Sequence, residues 1–362
     1  MVLDHLLLSP FRNHQHTAIT GTAKFNLLTG ENGAGKTNVL EAISLLAPGR
    51  GLRRAMLVEM AAKTGGRGAG GFVFSADVMA GGDAVRLGTA SLPDAPNRRV
   101  VQINGADASA AALGEWLSIS WLTPAMDRLF VDSPSARRGF LDRLVLALEP
   151  GHARAVSRLD TALRERNRLL GEAAEPDPAW CTALESQIAE AGELVSLARA
   201  RLVARLSQAL DDLPEAPFAR PNLAYVAGGP SEAGALTVAL AENRSRDRAA
   251  GRSLIGPHRD DLMAVMAGKM QPAALCSTGE QKAMLIAIIL AQTTLLDRTR
   301  PAVLLLDEVA AHLDPLRRAA LFARLGDGPA QVWMTGTEIE PFAEIANQAV
   351  HWRVESGRVT QV

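Results

Sequence analysis

The sequence predicts an α/β fold: a mixed sheet split in sequence, with a mainly helical lobe inserted in its middle. Three observations carry this reading. Short apolar strand segments followed by helices occupy both ends of the chain. A long stretch of helical periodicity separates them. Each end also holds half of one chemical pattern, a glycine-rich loop at residues 30–37 and paired carboxylates at Asp307 and Glu308. The sheet-bearing lobe is expected over residues 1–132 and 251–362, and the inserted lobe over residues 133–250.

The chain has 362 residues, 48% of them hydrophobic and 21% charged, so it buries a core and is not disordered overall. The formal net charge of −1 excludes a globally basic nucleic-acid coat, though not a local basic groove. Only five lysines occur (Lys24, Lys36, Lys63, Lys269, Lys282), so most cations are arginines. Arginine suits bidentate phosphate contacts, but GC-rich coding produces the same bias. Two cysteines, Cys181 and Cys276, make neither a disulfide framework nor a structural zinc site. The longest wholly apolar run, Ala283–Ala291, falls far short of the roughly 20 residues that span a bilayer. Asp4 and His5 precede the short Leu6–Leu8 run, unlike a signal peptide. A cytoplasmic protein without a membrane partner is expected.

Lys24–Thr29 is a short apolar strand candidate that runs into the glycine-rich loop, and Asn38–Leu46 reads as a helix stopped by Pro48-Gly49. Residues 64–110 suggest antiparallel strands, with alternation at Gly71–Val78 and Arg99–Asn104, and Ala106–Leu117 is expected to be helical. Long helices are predicted from Ser133 to Leu213. Val156, Leu159, Leu163 and Leu170 recur at heptad-like spacing, and Gly171–Pro178 breaks the run. Leu184, Ile188, Ala191, Val195, Ala198 and Leu202 then repeat at alternating intervals of four and three. Two such helices make an antiparallel hairpin, either within an ordinary helical subdomain or as a projecting arm. Ala302–Leu306 and Gln331–Thr335 are continuous apolar strands, as in the covered centre of a parallel sheet.

Gly30-Glu31-Asn32-Gly33-Ala34-Gly35-Lys36-Thr37 matches G-x-x-x-x-G-K-[ST] between a strand and a helix. Its backbone N–H groups, together with those of Asn38 at the helix start, suit phosphate oxygens. Lys36 is expected to reach the β- and γ-phosphates of ATP, and the Thr37 hydroxyl to ligate Mg²⁺. Val303–Leu306 ends in Asp307 and Glu308. Asp307 is expected to hold Mg²⁺, and Glu308 to face an attacking water as general base. Ser277-Thr278-Gly279-Glu280-Gln281-Lys282 precedes an apolar helix. Alone it reads more readily as a routine N-cap at Ser277 or Thr278 than as an anion site. The order phosphate loop, Ser-x-Gly-x-Gln, acidic strand is the ABC-type ATPase layout. In that layout Ser277, Gly279 and Gln281 would face ATP held by another subunit.

At this point the chain resembles the RecF family of ABC-type, SMC-like ATPases over most of its length. Phe11-Arg12-Asn13-His14 is similar to the family's Phe-Arg-Asn-Tyr stretch. Gly30–Ala42 is similar to its phosphate-loop run. Pro124 with Pro134–Asp142 resembles its Pro…Arg-Arg-x-Phe-Leu-Asp segment. Gly256-Pro257-His258-Arg259-Asp260-Asp261 and Ser277–Lys282 are the more specific matches. Glu31, His14 and Cys276 depart from the family's usual residues. The histidine switch of transporter ATPases is replaced by Thr335-Gly336-Thr337, where a Thr hydroxyl could sense the γ-phosphate or position water; Thr337 is taken as the candidate. His312-Leu313-Asp314 resembles the family's D-loop.

The resemblance implies a DNA-repair ATPase that hydrolyses ATP slowly and in a DNA-dependent way. Two copies would sandwich two ATPs. It implies binding at single-strand/double-strand junctions of gapped DNA, help to RecO and RecR in loading RecA, and association with the nucleoid. Candidate backbone-contacting arginines are Arg50, Arg53, Arg54, Arg137 and Arg138, though arginine faces are also commonly solvated or salt-bridged. Tyr225 is the only tyrosine and aromatics are 4%, so base stacking is not expected. A transporter ATPase subunit, a structural SMC-like tether and a P-loop kinase are the alternatives. They are disfavoured respectively by the missing histidine switch, the short helical arm and the presence of Ser277–Lys282.

Overall fold

The computed structural model of the chain describes residues 2–61, 70–172, 176–214, 216–310 and 313–362. Lys63, the start of the stretch at 64–110, the middle of the break at 171–178 and His312 lie outside the described residues. The chain divides by packing into two compact units, Met1–Met126 with Gln292–Val362, and Asp127–Ala291.

The first unit contains two sheets. In one, strands Thr17–Ile19, Leu3–Ser9, Phe72–Ala80, Asp83–Leu92, Ala95–Ile103 and Ala106–Asp107 pair antiparallel in that order. Along Phe72–Ala80 the inward residues Phe72, Phe74, Ala76 and Val78 are buried and alternate with more exposed neighbours, as expected of a sheet covered on one face. In the other, the order is Arg358–Gln361, Ala349–Glu355, Phe25–Thr29, Gln331–Gly336, Ala302–Leu306 and Ser118–Leu122. These strands run parallel except the edge strand Arg358–Gln361. Phe25–Thr29, Ala302–Leu306 and Gln331–Gly336 are buried along their whole length, which explains their unbroken apolar runs. Helix Lys36–Ser44 follows the first of them and packs Val39, Leu40 and Ile43 into a common core with Phe11, Phe74 and Trp333.

The expected helix over Ala106–Leu117 is not formed. Gly105, at φ 80°, turns the chain so that Ala106–Asp107 pairs back onto Gln102–Ile103. Only a 3₁₀ turn at Ala110–Ala112, capped by Ser109, and a single turn at Leu113–Trp116 remain. Sheet pairing here overrides the helix propensity of the alanines.

The second unit is built on helices Pro134–Leu148, His152–Gly171 and Pro178–Asp211. Leu159 and Leu163 of one long helix meet Ile188, Ala191 and Val195 of the other, forming the expected hairpin. Pro178–Asp211 also packs against helix Ala233–Glu242 and strand Pro221–Val226. The hairpin is therefore the centre of a subdomain and not a free arm. Strand Asp261–Met266 pairs with Pro221–Val226, so the stretch after residue 250 packs with the helices as far as Ala291. The hairpin's buried polar centre is Arg166. Its fork reaches Glu185 at 3.1 Å, Asp247 at 2.7 Å, Ser253 at 2.8 Å and the Leu240 carbonyl at 2.8 Å. Among the described residues, no helix is long and apolar enough to cross a membrane.

Candidate functional site

In the first unit the parallel sheet places three polar strand ends side by side. Phe25–Thr29 delivers the glycine-rich loop, Ala302–Leu306 delivers Asp307 and Glu308, and Gln331–Gly336 lies between them and delivers Thr335. This is the crevice at the carboxyl ends of parallel strands, where α/β proteins hold ligands.

The loop enters its helix through Gly35, at φ 118°. A Cβ there would stand 2.7 Å from the Asn13 side chain and 2.8 Å from His14 Nε2, so only glycine fits. Those neighbours fasten the loop. Asn13 Nδ2 donates to Ala34 O at 2.8 Å and Asn13 Oδ1 accepts from Asn38 Nδ2 at 2.7 Å. His14 Nε2 donates to Gly35 O at 3.1 Å, and its Nδ1 lies 3.0 Å from Thr17 Oγ1. Burial holds the His14 imidazole below its ordinary pKa. Gly357, in the turn between the last two strands, donates its N–H to Ala34 O at 2.8 Å. At φ 80°, a Cβ on Gly357 would collide with Asn13 O at 2.1 Å.

Lys36 is buried, and its Nζ donates to Gly30 O at 2.6 Å and Glu31 O at 2.9 Å. Burial lowers its pKa, while the charges of Glu308 and Asp307 oppose that shift. Thr37 Oγ1 donates to Asp307 Oδ1 at 2.9 Å, and Thr335 Oγ1 donates to the same oxygen at 2.8 Å. Burial pushes the Asp307 carboxyl above the usual carboxylate range, and the two hydroxyl bonds pull it back in part. The Glu308 N–H donates to Thr335 Oγ1 at 2.9 Å, and Glu308 itself has φ 54°.

Thr37 and Asp307 form a hydroxyl and a carboxylate within one hydrogen bond of each other. Both are hard oxygen donors, and Mg²⁺ at a nucleotide site takes one or two such ligands with the rest from phosphate and water. The residues therefore fit Mg²⁺. Among the described residues there is no cluster of three or more His, Cys, Asp or Glu that would make an all-protein metal cage. A cleft of about 1010 Å³ borders the loop, lined by residues including Glu31, Asn32, Gly33, Thr337, His351 and Arg353. Thr337 is exposed on its rim.

Helix Lys36–Ser44 is tied to two further segments through Glu41, which is fully buried. Arg12 Nε and Nη2 donate to its two oxygens at 2.8 and 2.7 Å. Arg53 Nη1 donates to Asn38 Oδ1 at 2.8 Å and to Glu41 Oε2 at 3.3 Å. Arg53 thus touches the helix that begins at the loop, while Arg50 and Arg54 are exposed beside it. Sequence reasoning gave Arg12, Asn13 and Gly357 no structural part, and Thr335 appeared only within a Thr-Gly-Thr string. Arg12 and Glu41 stand 29 positions apart, and no local pattern joins them.

In the second unit Ser277 opens helix Thr278–Thr294. Its N–H and Oγ both donate to Glu280 Oε2 at 2.9 Å, and its Oγ accepts from the Glu280 N–H at 3.4 Å, a reciprocal cap. Lys269 pairs with Glu280. Ser277 and Gly279 are exposed, whereas Gln281 is buried and donates to Cys276 O at 2.8 Å. The fork of Arg137 is closed on Asp261 by two bonds of 2.7 Å, and Arg138 donates to Asp260 O at 2.8 Å. The fork of Arg137 is thus spent within the unit, and Arg138 is engaged there through one Nη. Arg199, in turn, bridges Asp142 and Asp260, each at 2.8 Å. Burial raises the pKa of both Cys181 and Cys276, the reverse of an activated thiol.

The family described as RecF/RecN/SMC N terminal domain matches residues 2–360. The chain is 44% identical over 371 residues to the DNA replication and repair protein RecF of Mesorhizobium japonicum, covering 99% of this chain and 97% of that protein. It is 43% identical over 374 residues to the protein of the same name from Caulobacter vibrioides, covering 98% and 97%. A solved structure described as the recombination mediator protein RecF-ATP in the RecFOR pathway superposes with a TM-score of 0.86 at 21% identity, covering 100% of this chain and 97% of that one. At that identity the superposition speaks to the fold, which is the ABC-type ATPase head with a mixed sheet and a helical lobe. The matched family, the near full-length identity and the shared fold agree: this chain belongs to the RecF family.

Proposed function

We propose that the protein is an ATP-dependent DNA-binding protein of recombinational repair and replication, and that it hydrolyses ATP slowly. The single observation that carries the reading is the cluster in which Thr37, Asp307, Thr335 and Glu308 are linked by successive hydrogen bonds at the mouth of the glycine-rich loop. Residues Gly30–Asn38 would cradle the phosphates, with Lys36 leaving the loop carbonyls to reach the β- and γ-oxygens. Thr37 and Asp307 would hold Mg²⁺, which supplies charge neutralisation on the triphosphate when bound. Glu308 would accept a proton from the attacking water, and Thr337 would stand near the γ-phosphate.

The exposed Ser277 and Gly279 at a helix N-terminus suit the phosphates of a nucleotide held by a second copy. ATP would then close two chains around two nucleotides, with Gln281 supporting the signature turn. DNA, as single-strand/double-strand junctions, would be gripped by its backbone through Arg50, Arg53 and Arg54. Arg137 and Arg138 would contribute only by exchanging their internal partners. The description of the solved RecF structure supports action in the RecFOR pathway, hence RecO and RecR as partners, and the family resemblance adds RecA as the protein whose loading they assist. A cytoplasmic, nucleoid-associated location follows from that role.

The test is sedimentation with gapped DNA, with and without ATP. ATP-dependent co-sedimentation is expected, and equal binding without nucleotide would refute the gating. Glu308→Gln should accumulate an ATP-bound dimer in light scattering. Ser277→Arg should retain ATP binding by the monomer yet block dimerisation; loss of monomer binding would show that the signature acts within one chain.

A further inference from the structure

Glu308 stands in the left-handed region at φ 54°, where a non-glycine residue is held only by its surroundings. Its backbone N–H reaches one acceptor, the hydroxyl of Thr335 at 2.9 Å. That hydroxyl has a single proton, which it gives to Asp307 Oδ1 at 2.8 Å. Thr335 is 1% exposed, at the end of the strand lying between the loop's strand and the acidic strand. Its oxygen therefore donates to one of two consecutive acidic residues and accepts from the backbone of the other.

We propose that Thr335 is a positioning residue: its hydroxyl sets the backbone turn that aims Glu308 and orders the carboxylate of Asp307. This rests on the reading of Glu308 as general base. Thr335 touches neither nucleotide nor water in this account; it acts through the two acids. A hydroxyl so shared is fixed in both directions, because moving its proton to any other acceptor would leave Asp307 Oδ1 with Thr37 alone. A methyl in place of the hydroxyl frees the Glu308 N–H and lets the turn relax towards commoner backbone angles. The carboxylate of Glu308 then spreads over more positions, so the proton transfer slows while the phosphate cradle, built from other residues, is untouched.

The test compares Thr335→Val, which keeps the shape and removes the hydroxyl, with Thr335→Ser, which keeps the hydroxyl. Thr335→Ala stands in if the valine variant does not fold. ATP turnover is expected to fall about tenfold or more in Thr335→Val, with the ATP dissociation constant within about threefold of the parent. Thr335→Ser should recover turnover to within about threefold. Independently of activity, amide hydrogen exchange of nucleotide-free protein should show the Glu308 N–H protected in the parent and in Thr335→Ser, and unprotected in Thr335→Val. Parental turnover in Thr335→Val, or a serine variant as slow as the valine one, overturns this inference alone. A parent protein with no ATP turnover overturns the ATPase reading and this inference with it.

Discussion

Replacing Glu41 by glutamine tests whether the nucleotide-loop helix is anchored by its buried carboxylate. Glu41 is fully buried and accepts both arms of the Arg12 fork, at 2.8 and 2.7 Å. Glutamine keeps the volume but turns an amide N–H₂ towards a guanidinium that has only donors. Breaking a buried ion pair from one side costs about 3–5 kcal/mol. Arg12 is 21% exposed, so water recovers part of its solvation, and about 2–3 kcal/mol is the expected net loss. Arg53 is 42% exposed and adds between about 0 and 1 kcal/mol at most. For a unit of this size each kcal/mol lowers Tm by about 2–4 °C, so the combined loss of about 2–4 kcal/mol should lower the thermal unfolding midpoint, followed by circular dichroism, by about 4–16 °C. Arg12→Lys should fall less than Glu41→Gln, since a point cation still meets the carboxylate. A Glu41→Gln melting curve within about 1 °C of the parent would show that the fork–carboxylate contact does not hold this helix.

Lys36→Ala should abolish ATP binding in isothermal titration while leaving the melting temperature of nucleotide-free protein nearly unchanged; parental affinity would contradict the loop assignment. Arg166→Met should destabilise the helical unit by about 3–5 kcal/mol in urea titration, because Asp247 is left buried without its cation, while Glu185 keeps Arg244. Asp307→Asn should abolish turnover yet raise the stability of the nucleotide-free protein at pH 7. The sign follows from burial. The folded carboxyl has a raised pKa, so ionising it costs stability above the ordinary carboxylate range, and Asn keeps an oxygen for Thr37 and Thr335. That advantage should fade in melts near pH 3, where the carboxyl is protonated in folded and unfolded chains alike; an advantage independent of pH would refute the burial argument.

The parts of this molecule legible in the sequence are those written in neighbouring residues. The loop from Gly30 to Thr37 is a contiguous motif, the strand before Asp307 is an unbroken apolar run, and the two hydrophobic stripes of the helical hairpin repeat at the helical period. After Gly105 the helical expectation holds only over residues 110–116, because alanines report local propensity whereas the pairing of Ala106–Asp107 with Gln102–Ile103 depends on a glycine turn. The limits of the helical unit escaped for a related reason. Asp261–Met266 resembles any short strand until its partner, Pro221–Val226, is known. Within the site, the acids and the lysine declared themselves by type, but their supports did not. Thr335 with Asp307 is joined through the sheet order, and Arg12 with Glu41 and Asn13 with Ala34 only through the packing of distant segments. Arg53, Arg137 and Arg138 show the same limit from the other side, since identical cations look alike in sequence whether they face solvent or, as in Arg137, close on an aspartate.

The anchoring of the glycine-rich loop by Gly357 has a consequence for synthesis. Thr17 and Gly357, bonded at 3.0 Å, are 340 positions apart, and the strands flanking Phe25–Thr29 arrive almost as late. A growing chain that has already emitted its loop lacks these partners until the segments from 331 to 357 have also been made. The loop's shape is thus written at two places more than 300 positions apart, and neither place holds it alone.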